Sequence, residues 1–301
     1  MSSFAKLLVT GADAHAMLQY LVASDVPTAP ERTVYTGMLN ERGGYESDFT
    51  INCVEWDEFL IATGSAQAVR DRDVIEQVLA AMPRRPGCAV IDVTTMYAML
   101  AVMGPASREL LSRVSTACFD TAAFPFGPSQ LVDLGYATVR ATRLTYVGEL
   151  GCELYVLVEF ASAAYGDIGA AGADHGLSSA GYYAVYSLRL ETGYRAWGRE
   201  LTPGVNPFET GLSFAVNWDK GPFRRREALQ PLQAIGGGAA VKRRIVSLAI
   251  DAPHANLWGN ELMLRDGEPV GFVTSAASGH TVGRLVALGL VSASAGAADK
   301  A

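Results

Sequence analysis

Apolar and polar residues alternate in short runs along the first third of the chain, the pattern of half-buried β-strands. The predicted strands cover residues 4–9, 33–39, 48–54, 58–63, 88–93 and 97–103. Gly43 and Gly44 lie between the second and third of these runs, so we expect a hairpin there. Apolar residues at helical spacing predict helices over 14–22, 66–82 and 104–114.

The second half of the chain carries strand patterns over 137–143 and 153–158 and helix patterns over 160–171 and 180–193. Residues 236–238 are three consecutive glycines and form the clearest linker signal. Beyond them, strand patterns over 244–250, 260–265, 269–275 and 284–291 predict a small antiparallel β-unit. Residues 292–301 predict a frayed tail. We therefore expect a first region over 1–230, built from two α+β subdomains, and a C-terminal domain over 240–292.

The order of strand, glycine turn and helix occurs twice in the first half. Gly11 lies between the first strand and the first helix, and Gly104 lies between the strand at 97–103 and the helix that follows it. One similarity of this kind is a weak signal of an internal repeat. It suggests two related α+β halves.

The composition and the net charge give no support for some classes of binding partner. The 301 residues are 50% hydrophobic and carry a formal net charge of -7, which gives no electrostatic case for nucleic acid or for an anionic membrane. No run approaches the roughly 20 apolar residues of a membrane span, and the N-terminus shows no signal peptide, so we expect a cytoplasmic protein. The four cysteines lie in apolar contexts and are interpreted as small buried side chains in a reducing compartment. The basic run at 224–226 is interpreted as a solvated patch.

Few residue patterns indicate chemistry. The four histidines are scattered without metal-ligand spacing, and neither a phosphate-binding loop nor a nucleophile elbow is present in the sequence. His280 falls in a predicted turn, where a satisfied or exposed histidine is the favoured interpretation. What remains is a set of acids near glycine-rich turns.

Asp48 follows the Gly43–Gly44 turn on a predicted strand. Alternation places it on one face with Thr50 and Asn52, and places residues 49, 51 and 53 on the other. From spacing alone, an ordinary solvent-facing strand residue is favoured. Glu149 and Glu153 flank another glycine turn, where a carboxylate could accept hydrogen bonds from adjacent N–H groups of a heterocycle or could be a solvated loop acid.

Several segments resemble one family when they are taken in order. These are NERGGYESD at 40–48, YVGELGCELY at 146–155, SLRLETG at 187–193, YRAWG at 194–198, PFETGLSFAV at 207–216, FRRREAL at 223–229, and GFVTS at 271–275 with HTVG at 280–283. The chain resembles the glycine-cleavage T-protein (aminomethyltransferase) superfamily, and its motifs are most similar to those of the folate-binding half of dimethylglycine and sarcosine dehydrogenases. The resemblance runs from residue 1 to about residue 291.

The resemblance implies an α+β fold of three domains around a central folate site, with a C-terminal antiparallel β-barrel-like domain that stops early here. It implies tetrahydrofolate as cofactor, with Asp48 as the catalytic acid beside the folate nitrogens. Tyr146 and Glu153 match residues that hold the pterin ring, and Thr50 and Arg189 are further predicted cofactor-binding residues. A carboxylate placed there can accept a proton and stabilise a developing cation.

The function implied is a tetrahydrofolate-dependent one-carbon transferase that forms 5,10-methylenetetrahydrofolate from a small amine-derived donor, supplied by a separate flavoprotein amine dehydrogenase. Alternatives are an O- or S-demethylase of the same superfamily, a non-catalytic folate-binding regulator, and a shortened chain that folds without turnover. Two departures from the family pattern are visible. Val185 and Tyr186 replace the usual Arg-Asp pair, and Arg225 replaces a usual glycine.

Overall fold

The first unit is an antiparallel sheet with helices on one face. A computed structural model describes residues 3–82, 87–239, 241–252 and 254–292. The strands are β1 (Phe4–Thr10), β2 (Thr33–Leu39), β3 (Tyr45–Glu55), β4 (Glu58–Gly64) and β5 (Ala89–Asp92), in the order β2-β3-β4-β1-β5. Helices α1 (Ala14–Leu21) and α2 (Ala68–Ala81) cover it. The predicted hairpin at Gly43 is confirmed as the β2–β3 connection.

The second unit repeats this layout. It contains β6 (Tyr97–Met103), β7 (Ser129–Leu134), β8 (Ala137–Thr142) and β9 (Gly151–Leu157), with helices α3 (Ser107–Val114) and α4 (Ala161–Ala171). Its order, β6-β9-β8-β7, corresponds strand for strand to β1-β4-β3-β2. The carbonyls of Gly11 and Gly104 each accept a hydrogen bond from the N–H three residues later, at the start of α1 and α3. The repeat suggested by the sequence is therefore present in the topology.

The two sheets pack face to face, with helices on the outer sides. On β3, Phe49, Ile51 and Cys53 are buried under α1 and α2. The opposite face of the first sheet, including Leu60 of β4, packs with Tyr155 of β9 in a cluster between the sheets. Burial of apolar area on both faces of each sheet fixes this four-layer order. The face that carries Asp48 is therefore turned towards the second sheet.

The remaining elements form a third part of the fold. Helices α5 (Tyr182–Thr192), α6 (Pro207–Thr210) and α7 (Arg226–Ala234) precede an antiparallel sheet of order β10-β13-β12-β11. Its strands are β10 (Arg243–Ile250), β11 (Leu262–Arg265), β12 (Glu268–Gly279) and β13 (Arg284–Ser292). Leu190 of α5 packs on Val286 and Leu288 of this sheet. The predicted C-terminal β-unit is confirmed as an antiparallel sheet.

Some elements were not predicted from the sequence. β7 alternates only weakly, because the apolar Leu131 is exposed between the half-buried Gln130 and the buried Val132. α6 is a single turn, stabilised by a capping box in which the Asn206 side chain accepts from the N–H of Glu209. α7 contains Pro231, a residue that normally ends a helix. The predicted linker is partly ordered, since residues 237–239 form a helical turn and Gly237 lies against Phe208.

Two further expectations can be compared with the structure. Cys53 and Cys152 are buried as predicted, but the interpretation of all four cysteines as buried is wrong, because Cys118 is exposed and Cys88 is only half-buried. No helix among the described residues is long and apolar enough to cross a membrane. The predicted frayed tail after residue 292 lies outside the described residues.

Candidate functional site

The candidate site lies between the two facing sheets. Asp48, Thr50 and Asn52 of β3 point to the second sheet, and Glu153 and Tyr155 of β9 point back at the first. Thr142 of β8 donates a hydrogen bond to Asn52 Oδ1 at 3.1 Å, which ties the polar faces together. The solvent-facing interpretation of Asp48 that spacing favoured is therefore wrong. The residue is partly buried, facing another polar layer.

The surroundings of the Asp48 carboxyl group determine its hydrogen bonding and its pKa. The Tyr35 hydroxyl donates to Asp48 Oδ2 at 3.0 Å. Burial raises the pKa of Asp48 to about 6, against the opposing effect of the Tyr35 hydrogen bond, and the negative charge of Asp71 raises it further. A carboxyl group with a pKa near neutrality can both release and accept a proton under ordinary conditions.

Glu153 lies on β9 of the second sheet, whose inner face is turned to β3. Its Oε2 accepts a hydrogen bond from the Tyr155 hydroxyl at 3.0 Å. Burial raises the pKa of Glu153, and the same burial raises the pKa of Tyr155 well above its ordinary value. Thr50 is a hydrogen-bonding neighbour of the Tyr155 hydroxyl, so β3 and β9 share one polar network. Such a buried carboxylate with few donors favours a ligand that brings N–H groups.

Tyr146 occupies the loop between β8 and β9. Its hydroxyl donates to the Arg195 carbonyl at 2.8 Å, and its ring stacks on Tyr194 with centroids 6.0 Å apart and an interplanar angle of 9°. Burial raises the pKa of Tyr146. The positive charge of Arg189 lowers this pKa, and the negative charge of Asp48 raises it. The loop therefore presents a fixed aromatic pair beside the polar layer.

Arg189 is fully buried. Its Nη1 donates to Glu200 Oε2 and to the Tyr194 carbonyl, both at 2.9 Å, and its Nη2 donates to Ser275 Oγ at 2.7 Å. The guanidinium also lies over the Tyr186 ring. Its visible role is to join α5, the segment after it and β12. A direct cofactor contact by Arg189 stays a prediction.

Two stretches of the sequence match known protein families. Residues 1–220 match the family described as GCVT N-terminal domain. This chain belongs to that family. Residues 243–301 match the glycine cleavage T-protein C-terminal barrel domain, so both parts of the family's arrangement are present in the expected order.

Relatives and a solved structure agree with this assignment to the GCVT family. The chain is 38% identical over 305 residues to mitochondrial sarcosine dehydrogenase of Mus musculus, covering 97% of this chain and 32% of that protein. It is 28% identical over 293 residues to the aminomethyltransferase of Halothermothrix orenii, covering 97% of this chain and 78% of that protein. It thus spans about a third of the length of the sarcosine dehydrogenase it matches.

The fold has a close counterpart among solved structures. The glycine cleavage system aminomethyltransferase T from Bartonella henselae superposes with a TM-score of 0.84 at 24% identity, covering 97% of this chain and 77% of that one. The predicted α+β aminomethyltransferase fold is confirmed.

Sequence reasoning missed Tyr35, Tyr155 and Tyr194 at the site of this GCVT family member. Two of them carried a usable signal. Tyr155 lies two residues after Glu153 on the same strand face, and the hairpin register pairs Tyr35 with Thr50, next to Asp48. Tyr194 had no such signal, because its contact with Tyr146 joins segments far apart in sequence.

The other candidates lie outside this site. Glu149 and His280 are exposed, and His280 occupies the predicted turn. Among the described residues, no group of three or more His, Cys, Asp or Glu side chains is arranged to hold a metal ion. The run at 224–226 is more than a solvated patch, since Arg224 donates to the Leu39 carbonyl and Arg226 lies over the Trp218 ring.

Proposed function

We propose that this chain binds tetrahydrofolate and transfers a one-carbon unit to it, forming 5,10-methylenetetrahydrofolate. The observation that carries the proposal is the pair of partly buried carboxyl groups, Asp48 and Glu153, on facing sheets beside the aromatic pair of Tyr146 and Tyr194. Membership in the GCVT family and the identity with an aminomethyltransferase support it.

The residues present fit a pterin ring. Among the residues that the structure describes, the Tyr155 hydroxyl is the side-chain donor to Glu153, at Oε2. A buried carboxylate with a raised pKa gains from N–H donors on a ligand. Tyr146 offers an aromatic face, and Thr50 adds a hydroxyl to the same layer. When bound, tetrahydrofolate supplies the nucleophilic nitrogen that receives the carbon.

Asp48 has the role of proton acceptor in this proposal. Attack by an amine nitrogen leaves a positive charge and a proton to be removed, and a nearby carboxylate lowers the free energy of both. The Tyr35 hydroxyl holds one oxygen of Asp48 in place. With a pKa of about 6, the carboxyl group is largely ionised at neutral pH and still basic enough to take the proton.

The proposed donor is a small amine-derived molecule whose reactive carbon is an iminium or aminomethyl group. The support is the 38% identity with sarcosine dehydrogenase, an enzyme named for an N-methyl amine. A flavoprotein amine dehydrogenase would produce that carbon, and this chain would capture it.

Calorimetric titration with tetrahydrofolate tests binding. We expect Glu153→Ala to weaken binding by about 10- to 100-fold, because a charge-assisted hydrogen bond contributes about 1.5 to 3 kcal/mol. Glu149→Ala is the matched control, since Glu149 flanks the same turn and is exposed, and it should bind like wild type. Wild-type protein that shows no binding would overturn the proposal.

Turnover tests the chemistry. With a formaldehyde-derived iminium as donor, we expect Asp48→Asn to reduce kcat for methylenetetrahydrofolate formation by about 10²- to 10⁴-fold while tetrahydrofolate affinity changes little. Binding without acceleration by wild type would make the chain a folate-binding module. Methyltetrahydrofolate formed from a methoxy or thioether donor would make it a demethylase.

A further inference from the structure

A second buried carboxyl group lies close to Asp48 and has no part in the function proposed above. Asp71 is in the first turn of α2, and its side chain is 0% exposed. The Ser47 hydroxyl donates to Asp71 Oδ2 at 2.9 Å, and the Thr63 hydroxyl donates to the same oxygen at 2.5 Å. Burying a charged carboxylate is expensive unless it is fully paired, so this residue needs an explanation.

The hydrogen bonds of Asp71 lead to Asp48. Ser47 precedes Asp48 on β3, and Gln67 Nε2 donates to Ser47 Oγ at 2.7 Å. The Gln67 side chain is also a hydrogen-bonding neighbour of the Asp48 carboxyl group. Hydrogen bonds therefore connect Gln67 to Ser47 and Ser47 to Asp71, and Asp48 is the residue that follows Ser47 on β3. All four groups are buried or partly buried.

The other oxygen of Asp71 is informative. Asp71 Oδ1 is buried and has no hydrogen-bond partner. An ionised carboxylate would leave a full acceptor unsatisfied there, at a penalty of about 1 to 3 kcal/mol or more. A protonated Asp71 reduces that penalty. The unpaired oxygen thus favours protonation of Asp71, and the charge of Asp71 acts on Asp48.

The surrounding charges agree with this inference. Burial raises the pKa of Asp71 to about 6, opposed by the hydroxyls of Thr63 and Ser47 and by the charge of Arg70, while Glu46 raises it. Arg70 itself is paired with Glu46 at 2.5 Å, so it offers little net charge to Asp71. The groups that face Asp48 from the neighbouring elements are the phenols Tyr35, Tyr45 and Tyr146, which are neutral at ordinary pH.

We propose that Asp71 is a positioning residue for Asp48: through Ser47 and Gln67 it fixes the orientation of that carboxyl group, and its charge sets how readily that group is protonated. The two carboxyl groups then titrate as one coupled system. A proton on Asp71 removes its negative charge and makes Asp48 more acidic, so the acidity of the reacting carboxyl group is set from the helix side of the sheet. This inference rests on the proposed function only in naming Asp48 as the reacting group.

Direct titration of the carboxyl groups tests the proposal without any ligand. We would follow the carboxyl ¹³C signals of the full chain from pH 4 to 8, assigning them with Asp48→Asn and Asp71→Asn. In wild type we expect both signals to follow two-step curves with common midpoints, as coupled sites do. Independent single-step curves for the two groups would overturn the proposal. The curves are measured on the wild-type protein, and the variants serve only to assign the signals.

The Asp71→Asn variant gives the second readout. Since asparagine keeps an acceptor for Ser47 and Thr63 but carries no charge, we expect the Asp48 titration to become a single step with its midpoint lowered by about one pH unit, a tenfold change in acidity. Asp73→Asn is the matched control on the same helix, because Asp73 is exposed, and it should leave the midpoint unchanged. An unchanged midpoint in Asp71→Asn would contradict the proposal.

Rate measurements separate this proposal from the proposed function. If transfer is observed, the acidic limb of its kcat/KM profile should move with the Asp48 midpoint in Asp71→Asn, a shift that loss of packing alone would not produce. If no transfer occurs, the proposed function fails while the carboxyl titration still decides whether Asp71 and Asp48 are coupled.

Discussion

At the scale of single residues, the properties of Asp48 come from its neighbours rather than from its strand. Its carboxyl group is enclosed between two sheets, receives the Tyr35 hydroxyl, and lies near the buried charge of Asp71. Enclosure raises its pKa because the charged form loses hydration. Buried acids of this kind lower the stability of the fold, and the same burial makes them reactive.

The pH dependence of stability follows from these raised pKa values. The folded-state pKa of Asp48 is about 6 against an ordinary 3.8, so the folded state binds more protons between these values than the unfolded state does. The stabilisation is complete below about pH 4 and is lost as the pH rises through 6. Urea unfolding should show the free energy of unfolding falling over this window.

The Asp48→Asn variant should reduce that fall by about 1 to 3 kcal/mol, since each unit of pKa shift corresponds to roughly 1.4 kcal/mol. At pH 7 the variant should therefore be at least as stable as wild type. Asp73→Asn, at an exposed position, should retain the wild-type slope. A slope in Asp48→Asn equal to that of wild type would show that burial does not control this carboxyl group.

At the scale of elements, the start of α7 carries a local conflict. Arg225 has a φ of 67°, in the left-handed region that favours glycine, and it immediately precedes the helix. The resemblance to the T-protein superfamily implied a glycine at this position. The arginine side chain forms an ion pair with Glu41 at 3.1 Å, but Glu41 is 81% exposed, and such pairs contribute little.

A comparison of glycine and alanine at position 225 isolates the free-energy cost of the left-handed backbone conformation. Both substitutions remove the ion pair, but only glycine adopts the left-handed conformation without strain. We expect Arg225→Gly to be more stable than Arg225→Ala by about 1 kcal/mol in chemical denaturation. If the alanine variant were the more stable one, the turn before α7 would have to relax out of the left-handed region.

At the scale of the whole molecule, one buried ion pair joins distant parts of the chain. Arg189 and Glu200 are both 0% exposed, and Glu200 Oε1 also accepts hydrogen bonds from Thr274 and Ser275 at 2.6 Å each. The cluster connects α5 to the C-terminal sheet and holds the segment that carries Tyr194. Its hydrogen bonds offset much of the desolvation of both charges, although Arg189 Nε is buried without a partner.

Removal of one partner of the Arg189–Glu200 ion pair should therefore strongly destabilise the fold. We expect Arg189→Met to lower the free energy of unfolding by about 3 to 5 kcal/mol, because Glu200 would be left as an unpaired buried charge. The double variant Arg189→Met/Glu200→Gln should recover part of the loss, since no charge then remains. Thermal or urea unfolding of the three proteins measures this, and a double variant no more stable than Arg189→Met would contradict the ion-pair argument.

Much of the fold could be predicted from local patterns. The helices α1, α2 and α3 and most strands follow hydrophobic periodicity, which reports the side of an element that faces a core. β7, α6 and α7 were missed because their stability depends on tertiary contacts or caps. The position of Asp48 on one face with Thr50 and Asn52 was correct, whereas its solvent exposure was not, because alternation identifies a face but not what covers it.

The sequence by itself determined most of the elements, the repeat of strand, glycine turn and helix, the acids beside the glycine turns, and the motifs that place the chain in its family. These depend on interactions between residues near one another along the chain. Only the tertiary structure decided that β3 and β9 face each other and that Tyr35 and Tyr155 hold the two acids. It also decided that Asp71 lies behind Asp48 and that Arg189 is enclosed with Glu200. Apart from Tyr155 and Glu153, which are two residues apart on β9, those relations join residues from 11 to more than 100 positions apart. Packing of whole sheets, rather than any local preference, brings these residues together.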